Sequence, residues 1–295
     1  MKRILACCVG LVVGSAMAQG GLRQQIRATA EQAKGKVSVA CSLPGTLLDC
    51  DLHPDAHPPM QSVFKLPLGM AILDQVQRGR FTIDQPIRFL ASDRIPNAYS
   101  PLQDEFPQAD VDVPLRELLR LSVSLSDNCA ADVLLRILGG PKVLQAYIDS
   151  LGIEGFHIQD DEAGLHQDVL AQYRNWFEPS AAVALLRLIN DRPPFSRQNT
   201  ALLTGWMKTP PDRPSRVAQA LPKGIEVLHK TGTSDVSPAG VAYATNDIGL
   251  ITLPDGRRLA VAVFVTDASA DTATRDRVIA EISRQIYDAA LQAKR

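Results

Sequence analysis

The period of the apolar positions changes twice along this 295-residue chain. Behind an apolar head, Leu22, Ile26, Ala30 and Ala33 recur at helical spacing and give a weak amphipathic stripe. Residues 37–42 and 47–52 then read as a short β-hairpin around the turn signal Pro44-Gly45. From Ser62 to about residue 205 the pattern is mainly helical, with helices predicted over 115–125, 130–138, 141–151 and 180–189. Pro114 and Pro141 suit first-turn positions, and Gly139-Gly140 suits a break between helices. Strand-like runs return at 225–229, 241–251 and 258–265, the last two joined by Pro254-Asp255-Gly256. A final helix carries Val278, Ile279, Ile282, Ile286 and Ala290 on one stripe. Strands near both ends, with helices between, predict one α/β sheet domain (19–58 and 208–295) interrupted by a helical domain (59–207).

The first eighteen residues stand apart. Met1-Lys2-Arg3 precedes an apolar run that closes on Ala16-Met17-Ala18. A basic head, an apolar stretch too short to span comfortably and an A-x-A site read as a signal peptide over 1–18. Cys7 lies too close to Arg3 for a lipoprotein cysteine. No later segment is long and apolar enough to cross a bilayer, so a soluble, periplasmic or secreted monomer without a membrane anchor is expected. Removing Lys2 and Arg3 takes the formal charge from −1 to about −3, too little to argue for nucleic acid or a membrane surface. Cys7 and Cys8 leave with the signal. Cys41 and Cys50 flank the Pro44-Gly45 turn, where a disulfide and two free thiols are both open. Cys129 reads as a buried thiol. His53 and His57 are four apart, but the intervening prolines forbid the helix that would align them, so no metal or cofactor is expected.

The chemistry begins at Gln61-Ser62-Val63-Phe64-Lys65, which runs into an apolar segment. A hydroxyl and an amine three residues apart share one helix face if Ser62 opens the helix. Serine is a poor nucleophile until a base takes its proton, and a desolvated lysine one turn on can do so. Alone, S-x-x-K arises by chance about once in a chain this long, usually as a capping serine and a solvated lysine. Two further motifs follow in order. Ser126-Asp127-Asn128 reads singly as an N-cap cluster, and Lys230-Thr231-Gly232 as a strand end running into a turn. Together, S-x-x-K, S-D-N and K-T-G mark the class A β-lactamases and penicillin-binding proteins.

A fourth stretch narrows the choice. Glu162-Ala163-Gly164-Leu165-His166, followed by Arg174-Asn175-Trp176, resembles the Ω-loop (about 158–178) of class A serine β-lactamases. There, E-x-x-L-N supplies the glutamate that activates hydrolytic water. The chain is most similar to the PER/VEB-type extended-spectrum subgroup, through those motifs, His229 to Ser234, Thr245-Asn246-Asp247 and Leu253 to Gly256. The resemblance implies an antiparallel sheet flanked by N- and C-terminal helices with an inserted all-helical domain. It also implies hydrolysis of β-lactam antibiotics, penicillins and oxyimino-cephalosporins, through a serine acyl-enzyme. Two alternatives are a D-Ala-D-Ala peptidase and a β-lactam-binding protein that acylates and stops; Glu162 argues against both.

Carried over by position, the resemblance makes Ser62 the nucleophile and gives catalytic roles to Lys65, Ser126, Glu162 and Lys230. Asn128, Thr231, Gly232 and Thr233 would meet the substrate, and His166 would stand where an asparagine usually holds the water. Arg216 matches an anchoring arginine upstream of K-T-G, against a plain surface arginine. Tyr99 matches an aromatic at the cleft mouth, against a packed core tyrosine. Two departures stand out. Ala163 replaces a proline, so a trans Glu162–Ala163 peptide is expected. The usual Arg–Asp bridge at the loop neck is expected to have no counterpart, since Asp160 and Asn175 occupy its places.

Overall fold

The computed structural model describes residues 21–208 and 216–293; the expected signal peptide, 1–18, lies outside the described residues. A helix over residues 21–30 (α1) leads into strand β1 (Lys36–Ser42). Next come α2 (Lys65–Gln77), β2 (Pro86–Phe89), the short α3 (Pro101–Glu105), β3 (Val111–Pro114), α4 (Leu115–Leu125), α5 (Asn128–Leu138) and α6 (Pro141–Ser150). Two-residue strands β4 (Phe156–His157) and β5 (Trp176–Phe177) pair with each other across a loop that contains α7 (Glu162–Gln167). Then follow α8 (Pro179–Asp191), α9 (Arg197–Trp206), β6 (Val227–Thr233), β7 (Ala242–Thr252), β8 (Arg258–Ala268) and α10 (Thr272–Gln292).

The main sheet is antiparallel throughout, in the order β1-β8-β7-β6. Strand β8 shows what drives it together. Leu259, Val261, Val263 and Val265 bury one face against Ile26 of α1 and Val278, Ile279, Ile282 and Ile286 of α10. Ala260, Ala262 and Phe264 bury the other face in a second core that includes Phe64 and the apolar side of α8. A strand covered on both faces reads as an unbroken apolar run, and this one does. Full burial of Phe264 contributes about 2–3 kcal/mol. Helix α2 is the counterpart on the helical side: every residue from Lys65 to Asp74 is buried. It lies among α4, α5, α6 and α9. Gly69 permits the approach of α4, since a Cβ there would sit 2.9 Å from Val123 Cγ2.

The sheet with helices around it agrees with the sequence reading, and helix 115–125 is reproduced to the residue. Four details differ. Residues 47–52 form no strand; they touch β1 through one bridge, Val39 to Leu52. Thr46 Oγ1 donates to the Leu43 carbonyl, and Asp49 Oδ1 accepts from the Asp51 N–H, so side chains replace a ladder there. Strand β6 runs on through Thr233 because β7 keeps pairing it as far as Thr245, which puts K-T-G inside the strand rather than at its end. Pro114 closes β3 and caps α4 from outside, while Pro141 does begin its helix. Ser62 lies in a 3-10 turn (Gln61–Phe64) just ahead of α2, not in the α-helix itself.

Cys41 and Cys50 form a disulfide, and Cys129 is a buried free thiol. The crosslink reinforces the backbone bridge and the Arg23–Asp49 ion pair that hold residues 47–52. Closing a loop of 9 residues should contribute about 2–3 kcal/mol. The Cys41→Ala/Cys50→Ala variant should therefore unfold at lower urea by that amount, and reductant should shift the wild type alone. Coincident curves for all four conditions would show the bond to be energetically silent.

Candidate active site

The site is built around the amine of Lys65, which has no exposure to solvent. Its Nζ lies 2.9 Å from Ser62 Oγ, 2.8 Å from the Ser126 carbonyl and 2.8 Å from Glu162 Oε1, and it also donates to Asn128 Oδ1. Four oxygens therefore meet an ammonium with three hydrogens. With Glu162 ionised, only the Ser62 hydroxyl among them carries a hydrogen of its own. A Lys65 that has passed a proton to Glu162 can accept that hydrogen. The arrangement is thus able to generate a serine nucleophile.

Ser126 ends α4 in the left-handed region (φ 61°), which turns its carbonyl to Lys65 while its Oγ accepts from Lys230 Nζ at 2.9 Å. One residue thereby faces both lysines. Burial, reinforced by the nearby Lys65 charge, lowers the Lys230 amine to about 7. Asp127 faces inward: it caps α5 through the Ala130 N–H and accepts from Ser100 Oγ and the Leu102 N–H. That fixes the loop bearing Tyr99, whose carbonyl accepts from the Asn128 N–H at 3.2 Å. The Tyr99 side chain is 61% exposed, so it is not a core tyrosine.

Glu162 is buried at the start of α7. Asp132, one helical turn beyond Asn128, accepts the Glu162 and Ala163 N–H groups at 2.8 and 2.9 Å. Desolvation, with the neighbouring Glu162 and Asp161 charges, pushes the Asp132 carboxyl up to about 8. The Glu162–Ala163 peptide is trans, as expected without proline. His166 Nδ1 lies 2.8 Å from the Glu162 carbonyl, which can only accept. Nδ1 therefore holds the hydrogen, and Nε2 keeps its lone pair in the neutral ring.

The expectation of a loop neck without an Arg–Asp bridge is overturned. Arg174, one residue before Asn175, grips Asp160 with Nε and Nη2 at 2.8 and 3.0 Å and reaches Asp168 through Nη1. Asn175 adds what a charge could not. Its Oδ1 accepts from the Gln159 and Asp160 N–H groups, and its Nδ2 donates to the Asp160 carbonyl. The bridge moved by one position, which spacing alone did not reveal.

On β6, alternation puts Lys230 and Gly232 on one face and Thr231 and Thr233 on the other. Gly232 is obligatory for close approach, since a Cβ there would lie 2.6 Å from the Met60 carbonyl. Arg216 is buried rather than a surface residue. It donates to the Gly232 and Asn246 carbonyls and to Thr233 Oγ1, and pairs with Asp276 at 2.7 Å. Behind the strand, the fully buried Asp247 carboxylate takes the Val217 N–H and lies 2.9 Å from His229 Nδ1. Sequence reasoning missed Asp132, although its place four residues after Asn128 on one helix face was a usable signal. No metal-binding cluster of His, Cys, Asp or Glu occurs among the described residues.

Comparison with known proteins adds to this geometry. The profile of the "Beta-lactamase enzyme family" matches residues 21–290. The "Extended-spectrum beta-lactamase PER-1" of Pseudomonas aeruginosa is 38% identical over 266 residues, covering 90% of this chain and 86% of the relative. The crystal structure of TLA-1 extended-spectrum β-lactamase superposes with a TM-score of 0.89 at 34% identity, over 92% of this chain and 99% of that one. A class A β-lactamase from Bacteroides cellulosilyticus gives a TM-score of 0.85 at 32% identity, over 93% and 98%. With a partly exposed serine set against a buried lysine–glutamate pair on a class A fold, this chain belongs to the β-lactamase enzyme family, as a serine hydrolase of β-lactams.

Proposed function

We propose that Ser62 is the nucleophile and that the four-oxygen cluster on Lys65 is its activating device. This rests above all on the 2.9 Å contact between the buried Lys65 amine and Ser62 Oγ. Ser62 Oγ attacks the lactam carbonyl as its proton leaves to Lys65, with Glu162 able to share that proton. The backbone N–H groups of Ser62 and Thr233 receive the developing oxyanion. When the ring C–N bond breaks, Ser126 Oγ delivers a proton to the leaving nitrogen, resupplied from the lysines on either side. Lys230, Thr231 and Thr233 meet the substrate carboxylate, with Arg216 holding the Thr233 hydroxyl and Gly232 giving the strand its close approach. Asn128 offers its amide to the acylamino side chain, and Tyr99 borders the mouth. Glu162 then deprotonates the water that hydrolyses the ester, and the bare Nε2 of His166 accepts that water's second hydrogen. Export through residues 1–18 puts the enzyme in the periplasm or outside the cell, as a monomer without a membrane anchor. No described helix is long and apolar enough to cross a membrane.

Three outcomes follow for the chemistry. Ser62→Ala should take no penicillin label by intact-protein mass spectrometry, whereas Glu162→Gln should label stoichiometrically and keep the label. His166→Ala should slow deacylation by about 10–100-fold, the loss expected for an orienting group rather than the base. Stopped-flow kinetics with a chromogenic cephalosporin reads both rates. Unchanged deacylation in Glu162→Gln would remove that residue from its role.

The Lys230 amine, lowered to about 7, sets a pH dependence. The charged form holds the substrate carboxylate, so kcat/KM should decline as pH rises through that value in the free enzyme. Lys230→Arg stays charged and should lose the alkaline limb. An identical limb in both proteins would assign it to another group.

Breadth is the third expectation. Residues 234–240 fold back as a small extension beyond β6 and β7, closed by the Val236–Ala242 bridge and the Ser237 N–H to Val241 carbonyl bond. We take this extension to widen the side-chain end of the cleft, and the extended-spectrum character named for the relative PER-1 supports the same reading. Oxyimino-cephalosporins should be hydrolysed with efficiency comparable to penicillins. Steady-state turnover lower by orders of magnitude would refute this.

A further inference from the structure

Asn246 is a fully buried amide on β7 that the mechanism above does not use. Its Nδ2 donates to the Pro59 carbonyl at 2.8 Å and lies 3.3 Å from the Met60 carbonyl. Neither carbonyl can donate, so the amide nitrogen must face them, and both of its hydrogens are used. Those two residues are the last before the turn that presents Ser62.

We infer that Asn246 is a positioning residue for the reaction: its amide ties the Pro59-Met60 segment to the K-T-G strand and so sets the spacing of the Ser62 and Thr233 N–H groups. The inference rests on Ser62 being the nucleophile.

Three observations converge on it. First, the backbone of Asn246 lies opposite Gly232 in the β6–β7 register, beside the Thr233–Thr245 pair. Arg216 Nη1 clasps the carbonyls of both Gly232 and Asn246, so this end of the tether is rigid with respect to Thr233. Second, the other end needs holding. Gln61, the residue just before Ser62, has φ 49°, a left-handed backbone that a non-glycine residue keeps only when its surroundings impose it. Third, the approach is already at its limit, because Gly232 admits the Met60 carbonyl only by lacking a Cβ. At that distance the amide's bonds to the Pro59 and Met60 carbonyls supply a directional attraction between the two segments. Its neighbour Asp247 points to the opposite face, toward His229 and Val217, so β7 offers Asn246 alone at this point.

An oxyanion hole works only if both donors aim at the place the oxygen will occupy. Releasing one side by a fraction of an ångström should weaken acylation without removing the nucleophile or its base. The test uses Asn246→Ala and the same-size Asn246→Asp, in the otherwise wild-type protein and with Glu162→Gln to hold the acyl-enzyme. Penicillin labelling of Ser62 in Glu162→Gln with Asn246 intact is read first; no label there would overturn the nucleophile reading itself. Given label, both variants should still be labelled at Ser62, with acylation slower by about 10–100-fold. The ester carbonyl stretch of the trapped acyl-enzyme, read by infrared difference spectroscopy, should move to higher frequency because its hydrogen bonds are weaker. Asn246→Asp should recover acylation as the pH falls, when a protonated carboxyl can again donate to one carbonyl. An unshifted carbonyl stretch with acylation within twofold of wild type, whatever the melting temperature, would overturn the positioning role. If Asn246→Ala does not fold, Asn246→Asp alone decides on the same spectrum.

Discussion

An ammonium group shut away from water is tolerable only where oxygens replace its hydration shell. Lys65 has no exposure, because it starts a helix that is buried on every side. The oxygens around it come from the 3-10 turn at Ser62, the end of α4 at Ser126, the start of α5 at Asn128 and the start of α7 at Glu162. Solvating one buried charge therefore brings three separate pieces of chain, 62–65, 126–128 and the start of α7, to a single point. Removing the Glu162 carboxylate would leave the buried ammonium without its counter-charge, a change that typically costs about 3–5 kcal/mol. Core packing and active-site assembly are one event here. That is why the site sits between strand β6 and the helices packed beside it rather than on an exposed loop.

The legible part of the sequence follows from this. S-x-x-K, S-D-N and K-T-G are short because each lies on one local element, and the structure brings Ser62, Lys65, Ser126, Asn128 and Lys230 into direct contact chains. The apolar run of β8 and the stripe of α10 were plain for the same reason: periodicity is a local property. What stayed hidden depends on pairing across distance. K-T-G looked like a strand end because its continuation, Thr233, is held by Thr245 of β7, which no window around residue 230 contains. Residues 47–52 had the composition of a strand but lack a partner ladder. The Arg174–Asp160 bridge was missed because position matching assumes that a function stays at one site, whereas a long guanidinium reaches the same carboxylate from the next residue.

The loop carrying Glu162 shows how a buried carboxylate can be fixed without spending its own oxygens. Asp132 takes two consecutive backbone N–H groups at the start of α7, and Asn175 takes two more at the neck. His166 secures the Glu162 carbonyl. The backbone is thus fastened at both ends, and the side chain remains available to Lys65. The Asp132 carboxyl is pushed up to about 8, first by burial and then by the neighbouring Glu162 and Asp161 charges. The backbone donors give it a structural use that offsets part of that cost.

The two lysines then acquire different work from their surroundings alone. Lys65 has a carboxylate oxygen at 2.8 Å. Lys230 forms no ion pair among the described residues, touches only Ser126 Oγ and the Thr231 carbonyl, and sits near 7 through burial and the repulsion of Lys65. Ser126 lies between a lysine whose charge is matched by an acid and one that exchanges its proton near neutrality. A hydroxyl in that position can be resupplied from Lys230 at small cost, because that amine holds its proton weakly near neutrality. Had both lysines been paired with acids, the relay would be pinned; had neither, two buried positive charges would repel across one serine. The asymmetry comes from where Glu162 stands, against Lys65 and away from Lys230.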